Sequence, residues 1–73
     1  MSGWRYAPHA LKQMDAREAT YDEVEETLAH PYSIRETYRR RLNYHRAIEG
    51  YAIRVTVVPR IRLIVTVWKE PLH

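Results

Sequence analysis

Leu42-Asn43-Tyr44-His45-Arg46-Ala47-Ile48-Glu49-Gly50-Tyr51-Ala52-Ile53-Arg54-Val55-Thr56-Val57 is the stretch that decides the fold of this 73-residue chain. Two runs rich in β-branched and aromatic residues meet across Glu49 and Gly50, a two-residue connection in which glycine supplies the positive φ that a tight hairpin needs. The turn sets a register. Ile48 falls opposite Tyr51, Arg46 opposite Ile53, Tyr44 opposite Val55 and Leu42 opposite Val57 on one face. Asn43, His45 and Ala47 then fall opposite Thr56, Arg54 and Ala52 on the other. The first face is mostly apolar and the second polar, which suits an antiparallel sheet with one side open to solvent.

Outward from the hairpin, Ile61 to Trp68 reads as a further strand and Ile34 to Tyr38 as a short one. A two-residue turn at Pro59 and Arg60 would set Arg62, Ile64 and Thr66 beside Ile53, Val55 and Val57. An odd loop instead aligns Ile61, Leu63, Val65 and Val67 with them, leaving Arg62, Ile64, Thr66 and Trp68 on the open side. A slip of one residue inverts every side chain, so burial selects the odd loop. Upstream, Pro8 suits the first turn of a helix running to Ala16, with Ala10, Leu11 and Met14 on one side. Thr20 and Glu23 form a capping box for a second helix striped by Tyr21, Val24 and Leu28 and ended by Pro31. The expected fold class is α+β, a single domain over residues 1–73, with two N-terminal helices packed on one face of a three- to four-stranded antiparallel β-meander.

Composition removes several function classes. The chain has no cysteine, hence no disulfide scaffold, thiolate zinc site or cysteine nucleophile. No apolar run is long enough to span a bilayer and none resembles a signal peptide, so a cytoplasmic protein without membrane contact is expected. No P-loop, dinucleotide fingerprint, GxSxG elbow or paired carboxylates are present. His9, His30, His45 and His73 lack metal-site spacing, and no metal or other cofactor is expected. A domain this small buries only about 60% of its unfolded surface, which makes a homodimer or another protein partner reasonable.

The formal net charge of +3 hides an asymmetry. Residues 1–31 carry three cations against six carboxylates, net −3, whereas residues 32–73 carry nine against three, net +6. Arginine dominates the basic half, and its planar fork contacts phosphate bidentately. A polyanion is the first partner to consider, with Arg39, Arg40, Arg41, Arg46 and Arg62 as RNA-binding candidates and Tyr38, Tyr44 or Trp68 as stacking platforms. Charged sheet edges also simply prevent strand-to-strand aggregation.

Two histidines can do chemistry. His9 falls in the first helical turn as a candidate base, or as a packed ring. His45 falls opposite Arg54 with Thr56 diagonal to it: imidazole can remove a hydroxyl proton while guanidinium stabilises a phosphorane-like transition state. His30 reads as a helix-ending residue and His73 as a solvated chain end.

The segment His9-Ala10-Leu11-Lys12-Gln13-Met14-Asp15-Ala16-Arg17, followed by Val24, Leu28 and Pro31 and closed by Ile53-Arg54-Val55-Thr56-Val57 and Ile64-Val65-Thr66-Val67-Trp68, resembles a small bacterial domain-of-unknown-function family. Its members open with a histidine, alanine, leucine, arginine and methionine signature. The chain has Gln13 where that family often has arginine, and Glu18 where it often has glycine. The family is similar to BrnT-like toxins and is placed with the barnase, EndoU, colicin and RelE group of folds. The resemblance implies a toxin-like, metal-independent endoribonuclease, often paired with an antitoxin, and its patterned positions fall on His9, Arg17, Arg54 and Thr66. With His45 these make the candidate catalytic set. A noncatalytic nucleic-acid-binding or protein-interaction module, an inactive relative or a dimer, is the alternative.

Overall fold

A computed structural model describes residues 3–72, so His73 lies outside the described residues. Seven elements follow in order: β1 (Arg5–Tyr6), α1 (Pro8–Arg17), α2 (Tyr21–Ala29), β2 (Ser33–Thr37), β3 (Arg41–Ile48), β4 (Tyr51–Val58) and β5 (Leu63–Pro71). The strands form one five-stranded sheet in the order β1-β5-β4-β3-β2. The fold class is α+β, but the expected three- to four-stranded antiparallel meander becomes a mixed sheet. Its extra strand, β1, runs parallel to β5 through Arg5 opposite Leu63 and Tyr6 opposite Ile64. Two residues carry no period, so only this long-range pairing makes them a strand.

The β3–β4 hairpin has the register its turn dictates, from Ile48 opposite Tyr51 to Leu42 opposite Val57. Both turn residues take positive φ, Glu49 at 49° and Gly50 at 85°, the combination that matches the twist of paired strands. On one face Ile53, Val55 and Val57 are buried beneath the helices together with Ala10, Met14, Val24, Ile64 and Val67. This is the core.

The β4–β5 connection differs from the expected odd loop. Val58 pairs with Leu63, leaving the even stretch Pro59 to Arg62, wound as a 3-10 turn that closes with Arg62 at φ 52°. A bulge then shifts the register between Val57, which opposes Ile64, and Thr56, which opposes Thr66. The extra residue, Val65, lets both Ile64 and Val67 face the helices, where each is fully buried. Below the bulge Thr66 and Trp68 regain the open side, as the sequence predicts; above it Leu63 pairs with Val58 on that side and Ile64 turns inward.

The Thr20 capping box forms on both sides: the Glu23 backbone N–H donates to Thr20 Oγ1 at 3.1 Å and the Thr20 N–H to Glu23 Oε1 at 2.9 Å. Burial alone would raise the Glu23 pKa, but hydrogen bonds from Thr20 and the ammonium of Lys69 at 3.0 Å outweigh it and hold the carboxylate below its usual range. The stripe of α2 is rotated from expectation. Tyr21 is 58% exposed, and Thr27 is buried because its hydroxyl donates back to the Glu23 carbonyl at 2.8 Å.

Helix α1 ends in a motif that normally uses glycine. Glu18 takes φ 56° and ψ 37°, its N–H donates to the Asp15 carbonyl at 3.3 Å, and the Ala19 N–H donates to Met14 at 2.9 Å. A side chain at this left-handed position is strained. Glu18→Gly is therefore expected to raise the unfolding free energy by about 0.5–1 kcal/mol, the relief of strain being partly offset by greater freedom of the unfolded glycine. Urea denaturation measures it, and an unchanged or lower midpoint contradicts the strain.

Candidate nucleic-acid interface

Among the described residues the polar side of the sheet carries no helix. Alternation along each strand puts Ser33, Arg35 and Thr37 of β2 on it, with Arg41, Asn43, His45 and Ala47 of β3. β4 adds Ala52, Arg54 and Thr56, and β5 adds Thr66, Trp68 and Glu70.

Cross-strand pairing groups these side chains into rows. One row runs Ser33, His45, Arg54, Trp68 and another Arg35, Asn43, Thr56, Thr66. In the second, the Thr56 hydroxyl donates to Asn43 Oδ1 at 2.7 Å. In the first, the ring of Tyr32, just before β2, stacks on His45 with centroids 6.4 Å apart and planes 17° from parallel. The Arg54 guanidinium carbon lies 5.9 Å from the Trp68 ring centre. A second arginine joins this row from the helical layer. Since β1 pairs with Leu63 and Ile64, β5 has no strand partner on that side from Val65 onward among the described residues. Across that edge Arg17, the last residue of α1, places its guanidinium carbon 3.4 Å from the Trp68 centroid. Such stacking fixes a guanidinium without using its hydrogen-bond donors. The result is a line of Tyr32, His45, Arg54, Trp68 and Arg17 across the sheet.

Two nitrogens in this line are buried without a hydrogen-bond partner, His45 Nε2 and Arg54 Nε. An unsatisfied buried polar atom costs about 1–3 kcal/mol, so both nitrogens carry an uncompensated desolvation cost. The His45 pKa is lowered from the ordinary imidazole value, first by burial and then by the positive charges of Arg35 and Arg54. The ring is therefore neutral near pH 7, the form that accepts a proton.

Of the candidate catalytic residues, the structure brings Arg17, His45 and Arg54 into one row and Thr66 into the next. His9 stands apart. It is exposed on the first turn of α1, eight residues before Arg17, about 12 Å along the helix axis. The candidate RNA-binding arginines divide. Arg41 is on the open face, opposite Thr37. Arg39 and Arg40 are exposed in the turn between β2 and β3, both at positive φ. Arg46 pairs with Ile53 on the helical face, where it meets the Glu26 carboxylate at 3.3 Å and donates to the His30 carbonyl. Arg62 leaves the open face with the bulge; its Nε donates to the Gly3 carbonyl at 3.2 Å and its guanidinium covers Trp4. Tyr44 packs edge-on against Trp4 on the core side. Sequence reasoning overlooked Tyr32, Arg35 and Glu70. The strand signal of Ile34 to Tyr38, extended two residues backward in register with β3, would have placed the first two.

Among the described residues no group of three His, Cys, Asp or Glu side chains converges as metal ligands, and no helix is long and apolar enough to cross a membrane. Fold and site together define an α+β protein with one helix-covered sheet face and one cationic, aromatic face. Compared with known proteins, the chain matches no family model, no curated protein and no solved structure.

Proposed function

We propose that the open sheet face binds single-stranded RNA and cleaves it by metal-independent transesterification, as a toxin-like endoribonuclease whose natural partner is an antitoxin protein. The observation that carries this reading is the juxtaposition of His45 and Arg54 as direct cross-strand neighbours, each with an unpartnered nitrogen, beside Arg17 held on Trp68.

The chemistry follows from those groups. Neutral His45 takes the proton of a ribose 2′-hydroxyl, the 2′-oxygen bonds to the adjacent phosphorus, and the bond from phosphorus to the 5′-oxygen breaks, that oxygen leaving with a proton from solvent. Arg54 and Arg17 stabilise the negative charge that grows on the phosphoryl oxygens, and the Thr66 hydroxyl orients one of them. Arg35 and Arg41 hold the flanking phosphates. Four arginine–phosphate contacts give a binding constant that falls with salt at a log–log slope of about −3 for a single strand.

Purified protein in EDTA is expected to fragment a single-stranded RNA, with Arg54→Ala reducing the rate by at least about 100-fold. Intact RNA at micromolar protein, together with salt-dependent binding, overturns catalysis and leaves the noncatalytic binding module. Absence of both overturns the RNA reading altogether.

A further inference from the structure

We infer that the depression over Ala52 is a base subsite that selects guanine, read by the Glu70 carboxylate and covered by Tyr32. The inference rests on the proposed RNA-cleaving role of the face and specifies which nucleotide supplies the attacking 2′-hydroxyl.

Ala47 and Ala52 face each other across β3 and β4, and Glu70 opposes Ala52 from β5. Two alanines in neighbouring strands leave the sheet surface low at this point. The pocket above it has a volume of about 130 Å³ and is lined by Tyr32, His45, Ala52, Arg54, Trp68 and Glu70. Tyr32 and Trp68 give it two aromatic walls, and Tyr32 is exposed, its ring stacked on His45 at the rim.

Charge separates base from phosphate on this face. Glu70 stands at the hairpin-turn end, where a phosphate would be repelled, whereas Arg35 and Arg41 stand at the far end. A strand therefore binds with a base over Ala52, its ribose and 3′-phosphate over His45 and Arg54, and the next nucleotide toward Arg35. Base identity follows from hydrogen-bond chemistry. A carboxylate offers only acceptors. Guanine carries two adjacent N–H donors on its pairing edge, N1–H and the N2 amino group. Adenine and cytosine place an acceptor beside their donor, and uracil flanks its single N–H with carbonyls. Guanine alone satisfies both oxygens of Glu70 at once, and cleavage then falls on its 3′ side.

The test uses oligouridine strands containing one central guanosine, adenosine or cytidine, in EDTA, with guanosine 3′-monophosphate binding followed by tryptophan fluorescence. The expected result is cleavage after guanosine at least about 10-fold faster than after any other base, lost in Glu70→Gln. Ala52→Leu, which fills the depression, and Tyr32→Leu, which removes the stacking ring, are expected to weaken guanosine monophosphate binding by about 5- to 150-fold, with Tyr32→Phe retaining it. Cleavage indifferent to base, a guanine preference that survives Glu70→Gln, or unaltered binding by Ala52→Leu overturns the subsite while leaving the ribonuclease. No cleavage and no binding of any strand overturns both.

Discussion

Replacing His45 with alanine is expected to slow RNA cleavage by about 10²–10⁴-fold, the usual contribution of a positioned general base, while leaving the folded state intact. The ring is partly buried on the open face and stands outside the core, so its loss opens no core cavity. The pH profile carries a sharper signature. Its surroundings are cationic, with Arg35 and Arg54 acting on it and Arg17 at the far side of Trp68, and Glu70 is the carboxylate lining the same pocket. Burial and those arginines lower the imidazole pKa, so the reactive neutral form persists below the ordinary titration point near 6.5. Measured as kcat/KM, which reports the free enzyme, the acid limb of activity is expected to lie below the ordinary imidazole titration point. Arg54→Ala or Arg35→Ala removes a repelling charge and moves that acid limb toward higher pH. A limb that stays fixed in both variants, or wild-type activity in His45→Ala, removes His45 from the mechanism.

The second large effect is structural and concerns the bulge. Ile64 is fully buried against the helices, whereas its neighbour Leu63 sits on the opposite side beside Val58. Ile64→Ala is expected to cost about 2–5 kcal/mol, combining lost burial with the cavity left behind, and Leu63→Ala no more than about 1 kcal/mol. For a 73-residue domain the first approaches the whole stability, so the variant is expected to be largely unfolded at 37 °C. An Ile64→Val variant, losing about 0.5–1.5 kcal/mol, keeps the comparison measurable by urea denaturation. The reverse order, with Leu63 the costlier position, would restore the odd-loop register and turn Ile64 outward.

The difference between these two stretches of strand explains what the sequence could convey. In the hairpin around Gly50, turn chemistry and side-chain alternation specify the same pairing, so the placement of His45 opposite Arg54 could be read from residue types. In Ile61 to Trp68 almost every position outside Arg62 and Thr66 is apolar or aromatic, and period two cannot choose a phase when both phases are greasy. Burial alone pointed toward an odd loop; the chain reaches the same end below Val65 by combining an even loop with a bulge. The helix signals were legible where a side chain bonds its own backbone, as at Thr20, but not where a polar residue is buried through such a bond, as at Thr27. The site was legible to the extent that it lies within one hairpin. Arg17 joins it only because α1 passes the unpaired edge of β5, and Tyr32 because the chain re-enters the sheet directly after Pro31. Both are consequences of tertiary packing.

In the proposed reaction the row of Arg17, His45 and Arg54 directs a 2′-hydroxyl at its neighbouring phosphate. Product analysis on a single-stranded RNA in EDTA, beside the same sequence carrying 2′-deoxyribose throughout, tests it most directly. The first strand is expected to give fragments ending in 2′,3′-cyclic phosphate and the second to stay intact. Cleavage of both strands at similar rates, or RNA left whole, contradicts it.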